Sequence, residues 1–174
     1  MKKLLLLAAV SFSVIACKTT NKDSDEKAAK NLKKYSIQQM MDNESVFGGS
    51  FSPDKSKLLV TSNRSGIYNM YTVSTSDGTF EPITKSDSSS VFATSYFPKD
   101  NRMLFRMDNN GDEIYHIYMR DLDGSIRELT PEKGARAGFS GWAKDEKSFF
   151  FTSNKRDKRF MDVYEMDIET LTSK

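Results

Sequence analysis

One cysteine, one histidine and one tryptophan among 174 residues leave this chain short of the side chains on which much protein chemistry depends. With Cys17 alone, no disulfide can close within the chain. A zinc site would have only His116 and Cys17 to supply its nitrogen and sulfur ligands, too few for a closed site. The net charge of +2 is spread over interspersed acids and bases, without a basic stripe, which excludes nucleic acid as a partner. The apolar run from Leu4 to Ile15, broken by Ser11 and Ser13, falls short of the roughly 20 residues that a membrane-spanning helix needs. No residue set for a cofactor or a resident metal is found.

What that run offers instead is a processing signal. Lys2 and Lys3 precede it, and Val14-Ile15-Ala16-Cys17 follows, similar to a bacterial lipobox in which a small residue stands before a cysteine that takes a diacylglycerol. Residues 1–16 are therefore expected to be a lipoprotein signal peptide, with Cys17 the lipidated new N-terminus; an ordinary signal peptide with an incidental Cys17 is the alternative. Several acyl chains hold stably where one is marginal, each buried methylene adding about 0.8 kcal/mol. The expected location is the bacterial cell envelope, membrane-anchored through lipid, on the periplasmic or outward side. Residues 17–34 carry mixed charge and almost nothing apolar, which suits a solvated tether. Ser36 with Gln39 then forms a capping-box pattern, predicting a short helix with Ile37, Met40 and Met41 packed as the chain enters its domain.

From there the sequence repeats. "FSPDKSKLLVTSN", "FPKDNRMLFRMDN" and "WAKDEKSFFFTSN" align on Asp54, Asp100 and Asp145, which lie 46 and 45 residues apart. An aromatic stands three residues before each aspartate, and an apolar strand follows it. Eight residues past each stands Ser62, Asp108 or Ser153, then Asn63, Asn109 or Asn154. A second strand carries Met70-Tyr71, Ile117-Tyr118 or Val163-Tyr164, and in the first two units Asp77-Gly78 or Asp123-Gly124 then offers hairpin chemistry. Alternation of Tyr164, Met166 and Ile168 with acidic neighbours supports strand over helix. Units of about 45 residues with four short antiparallel strands are propeller blades. The expected fold is all-β: residues 35–174 form about three blades of an incomplete β-propeller, at about 45–90, 91–136 and 137–174, the last lacking a counterpart to the Ile83-Thr84 or Leu129-Thr130 segment.

This pattern is similar to the TolB-like propeller repeat. More narrowly, the stretches Asn110-Gly111-Asp112-Glu113-Ile114-Tyr115-His116, Gly141-Trp142 and Asn154-Lys155-Arg156-Asp157 resemble the N-terminal propeller of the prolyl oligopeptidase family of serine peptidases, bacterial dipeptidyl-peptidase-like members especially. The resemblance implies a Ser-Asp-His triad in an α/β-hydrolase domain that follows the propeller. Propellers close with four to eight blades, so the chain is expected to be the front piece of a longer protein.

The residues themselves carry no triad. A nucleophile elbow needs Gly-x-Ser-x-Gly; Gly48-Gly49-Ser50-Phe51-Ser52 lacks the last glycine and Gly138-Phe139-Ser140-Gly141-Trp142 has it one place early. Both lead into blade strands, and no catalytic residue is assigned. His116 sits in a strand and reads as a packed or edge-facing residue. Asp108, Asp112 and Glu113 surround Asn110-Gly111, but the calcium-loop spacing is missing, so a solvated turn is expected. Arg64, Arg156 and Arg159 follow the Ser-Asn position and read as surface ion-pair partners. Two functional readings stand. In one, the chain is the lipid-anchored propeller portion of a peptidase, filtering peptide substrate toward a catalytic domain; in the other, it is a non-enzymatic TolB-like propeller lipoprotein that binds protein partners in the envelope.

Overall fold

The computed structural model describes residues 32–174. The expected signal peptide, Cys17 and most of the tether lie outside the described residues. The chain forms two compact units, one ending at Asp42 and the other running from Asn43 to Lys174. In the first unit the expected helix, α1 (Ile37–Met41), forms with its capping box complete: Gln39 N–H donates to Ser36 Oγ at 3.1 Å and Ser36 N–H donates to Gln39 Oε1 at 3.0 Å. Ile37, Met40 and Met41 are all exposed.

The second unit is all β. Its strands are β1 (Val46–Phe51), β2 (Lys57–Ser62), β3 (Asn69–Ser74), β4 (Phe80–Pro82), β5 (Val91–Tyr96), β6 (Met103–Met107), β7 (His116–Arg120), β8 (Ile126–Glu128), β9 (Ala137–Trp142), β10 (Ser148–Ser153) and β11 (Asp162–Asp167). They pair in chain order into antiparallel sheets like propeller blades, β1-β2-β3-β4 and β5-β6-β7-β8 with four strands each, and β9-β10-β11 with three. On the third sheet a single antiparallel bridge, Met166 to Ser173, stands beside β11.

The repeated aspartate has a local cause. Asp54, Asp100 and Asp145 each accept, through Oδ1, the N–H two residues on: Ser56 at 3.0 Å, Arg102 at 2.9 Å and Lys147 at 3.1 Å. This side-chain turn closes the first hairpin of each blade. Asp77 and Asp123 do the same for Thr79 and Ser125 in the later hairpins, where Gly78 and Gly124 take φ of +73° and +88°, a region that L side chains rarely adopt.

Packing between sheets follows the repeat as well. Leu59 and Met70 of the first sheet bury against Val91, Tyr96, Met103 and Phe105 of the second. Leu104, Ile117 and Met119 of the second bury against Ala137, Phe149, Phe151 and Met166 of the third. At each joint one backbone bond crosses at a corresponding place, Val91 N–H to Tyr68 O at 2.9 Å and Ala137 N–H to Tyr115 O at 2.8 Å. A polar thread also joins all three: Tyr96 N–H donates to Ser50 Oγ at 3.0 Å, Ser50 and Ser95 hydroxyls meet at 3.3 Å, and the Trp142 indole N–H donates to Ser95 Oγ at 3.0 Å.

Candidate functional site

In the first and third sheets the residues after the second strand act as a clamp. Ser62 Oγ accepts from Arg64 N–H and Ser153 Oγ from Lys155 N–H, each at 3.2 Å. Asn63 Oδ1 accepts from Ser45 N–H and Asn154 Oδ1 from Arg136 N–H, each at 2.7 Å, pinning the segment that leads into the first strand.

The middle sheet breaks this rule. By strand pairing Met107 stands in the serine's place and Asp108 in the asparagine's, where it accepts from its own hairpin instead of pinning an entering strand, while Asn109 Oδ1 meets the neighbouring Asn110 Nδ2. Asn110 and Gly111 both take positive φ, +51° and +83°, and turn the chain tightly. Asp112 Oδ1 accepts from Asn109 N–H at 3.2 Å and Ile114 N–H at 2.9 Å, while Asn110 N–H donates to Ser89 Oγ at 2.8 Å. Asp108 is 5 % exposed; its Oδ2 accepts from Glu113 N–H at 3.2 Å, and its buried Oδ1 has no partner among the described residues. The sequence reading of a solvated turn therefore holds for Asp112 and Glu113, which are exposed, and fails for Asp108, which the hairpin folds beneath itself. Aligned on the aspartates, Asp108 falls beside Ser62 and Ser153; strand pairing moves it to the place of Asn63 and Asn154, because Asp100 sits one place later in its turn than Asp54 and Asp145 do.

Asp108 lines a cleft of about 640 Å³. Its walls are the Ser86–Ser89 connection, the Asp108–Ile114 hairpin with His116 and Glu128, and the Pro131–Gly134 connection. Acids outnumber bases on this lining: Asp108, Asp112 and Glu128 face Lys133 and His116. His116 Nδ1 pairs with Glu128 on the neighbouring strand, so the sole histidine is engaged within its own sheet. Among the described residues no group of three or more His, Cys, Asp or Glu side chains could hold a metal ion.

The other singled-out residues are accounted for locally. Ser50 lies on β1 and Ser140 on β9, each in a strand and not at a strand-to-helix turn. Arg64 pairs with Glu44 at 3.0 Å and covers the Phe80 ring at 4.1 Å; Arg156 pairs with Asp162 and Arg159 with Asp157, each at 2.7 Å. Burial pushes the Tyr118 hydroxyl, beside this cleft, up to about 12.

Residues 82–174 match the family model of the prolyl oligopeptidase N-terminal β-propeller domain. The chain belongs to this family. No curated protein matches the chain. Among solved structures, this propeller segment is similar to TolB from Acinetobacter baumannii, with 24% identity, a TM-score of 0.61, and coverage of 75% of this chain and 32% of that one. It is also similar to a puromycin-hydrolyzing peptidase from Mycobacterium tuberculosis, with 14% identity, a TM-score of 0.57, and coverage of 75% and 20%. A prolyl endopeptidase matches with 12% identity, a TM-score of 0.53, and coverage of 70% and 19%. The chain thus spans a third or less of each of these structures, and at such identities the likeness is one of fold.

Proposed function

We propose that this chain is the N-terminal propeller portion of a membrane-anchored serine peptidase, and that its blades gate peptide access to an α/β-hydrolase domain lying outside the chain. The observation that carries this reading is the family match over residues 82–174, which takes in the second and third sheets entire. A wall of rigid blades suits a filter: an extended peptide passes or threads a narrow opening, whereas a folded protein is turned away. Acyl transfer itself would need a serine, a histidine and an acid brought together elsewhere, since His116 is held by Glu128. Antibodies against residues 43–174 can capture the native protein from its source cells for labelling with a fluorophosphonate probe. A labelled species that cleaves peptides is the expected result, and a captured protein that neither labels nor cleaves overturns it.

A second reading rests on the TolB likeness, whose TM-score of 0.61 stands above the 0.57 and 0.53 of the two peptidase structures. In it the chain belongs to a non-enzymatic propeller lipoprotein that binds protein partners in the envelope. The same capture decides between them, because an unlabelled propeller recovered with stoichiometric partners is what this reading expects.

A further inference from the structure

We propose that Arg106 and the row of aromatic rings beside it bind an extended peptide through the carboxylate of an aspartate or glutamate side chain. The inference goes beyond the peptidase reading and does not depend on it.

The first support is a departure from the repeat. Strand pairing sets Thr61, Arg106 and Thr152 in one place on the second strands, opposite Phe47, Phe92 and Gly138 respectively. At the first joint Phe92 closes on Phe47 and on Tyr68, just before β3, with ring centroids 6.2 and 5.5 Å away. At the second joint Gly138 brings no ring. Phe92 and Tyr115 have Arg106 beside them instead, its Cζ 5.1 Å from each centroid. Arg106 is exposed there, whereas Thr61 is buried and Thr152 half-buried.

The second support is a charge without a counterpart. Arg64, Arg102 and Arg159 also lie over aromatic rings, and each has a carboxylate partner, Glu44, Asp100 and Asp157 respectively. Arg106 has the rings but not the acid: among the described residues its guanidinium makes no ion pair and no hydrogen bond. Cation–π attraction holds the guanidinium in place while its N–H donors stay unused. That fork matches one carboxylate bidentately, whereas phosphate groups are usually read by clusters of arginines.

The third support is the shape around it. Phe47, Tyr68, Phe92 and Tyr115 form an unbroken row, successive centroids 5.3, 5.5 and 5.7 Å apart, and Phe47 at its end is 43% exposed. An extended chain sets alternate side chains on one face roughly 7 Å apart, so an apolar residue two positions from the acid can lie on this row. With rings on one side of Arg106 and Gly138, which has no side chain, on the other, the surface stays open in both directions. An internal acidic side chain suits that better than a chain end.

The test is fluorescence anisotropy of the full chain with a labelled, amidated peptide, Ser-Phe-Ser-Glu-Ser-Phe-Ser, compared with the same peptide carrying Gln for Glu. The Glu peptide should bind, and the Gln peptide about fivefold more weakly, near the top of the range for an exposed ion pair. Arg106→Thr restores the residue that the other two sheets use, and Arg106→Gln removes the charge while keeping much of the length. Each should weaken the Glu peptide about fivefold and leave the Gln peptide unchanged. No binding of the Glu peptide, equal binding of both peptides, or unchanged binding in a folded variant overturns the proposal. So does a Gln peptide with a free C-terminal carboxylate that binds as tightly as the Glu peptide, which assigns the site to a chain end. If both variants fail to fold, Arg106 is structural and the proposal falls equally.

Discussion

Leu104 and Phe150 hold the same place in successive blades, yet Leu104 is fully buried at 0% exposure and Phe150 is 39% exposed. The same contrast separates Ile117 at 1% from Val163 at 67%. Leu104 and Ile117 lie under the third sheet, whereas the corresponding face of the third sheet is open in the described structure. Leu104→Ala should therefore destabilise the chain by about 2–5 kcal/mol, the range for emptying a packed leucine site. Phe150→Ala should remove far less, and Phe150→Ser should raise solubility, since an exposed apolar patch promotes association. Urea unfolding of both variants, with sedimentation of Phe150→Ser, checks the contrast.

The turn aspartates predict the acid limb of the stability curve. Hydrogen bonds from the Ser52 hydroxyl and from the Ser56 backbone and hydroxyl lower the Asp54 carboxyl from 3.8 to about 2. Asp77 and Asp123 are also lowered, chiefly by Thr79 and Ser125 respectively. A carboxyl depressed in the folded state contributes stability above its unfolded pKa, which is lost as pH falls through the folded one. Stability should hold at pH 5, then decline between about pH 4 and 2, and Asp54→Asn should flatten part of that decline. Thermal melts at closely spaced pH values measure it; a profile identical to the parent's would remove Asp54 from the explanation.

The asparagine clamp predicts a graded series. Asn63 makes a second bond through Nδ2 to Asn43 O at 3.2 Å, and Asn154 one to Lys158 O at 3.1 Å. Asn63→Ala and Asn154→Ala should each cost about 0.5–1.5 kcal/mol or somewhat more. Asn109→Ala, where no entering strand is pinned, should be the mildest of the three. Equal costs at all three positions would contradict the difference between the blades.

Cys17 is proposed as the lipid attachment point. Metabolic labelling with an alkynyl fatty acid should tag the protein in its source cells, and Cys17→Ser should abolish both the tag and membrane sedimentation. Retained labelling would point to another site, and a soluble, untagged parent protein would dismiss the anchor.

Much of the architecture was readable because blades are copies. Asp54, Asp100 and Asp145 mark a turn that depends on one side chain and the next two residues, so local chemistry suffices to locate it. Hairpins at Asp77-Gly78 and Asp123-Gly124 were legible for the same reason. His116 was read correctly as a strand residue, although its partner Glu128, twelve positions away, emerges only when β7 and β8 pair. Asp108 was less accessible to such reasoning. Its neighbours Asn110 and Gly111 announce a turn, and turns are ordinarily solvated; here the hairpin folds over Asp108, and Ser86–Ser89 and Pro131–Gly134 line the same cleft from distant parts of the chain. That convergence is a property of how one blade leads into the next, which no single window of sequence contains.

The one backbone bond at each joint, from Val91 to Tyr68 and from Ala137 to Tyr115, gives the sheets a mechanical character distinct from that within a sheet. Inside a blade, force along a strand meets a ladder of parallel bonds that must yield together. Between blades it meets a few isolated bonds, that backbone pin and the thread through Ser50, Ser95 and Trp142, set among packed side chains. A load applied across the array would be taken up first as small rotations about those pins, leaving every ladder intact, so the assembly can flex as a set of stiff leaves on compliant spines.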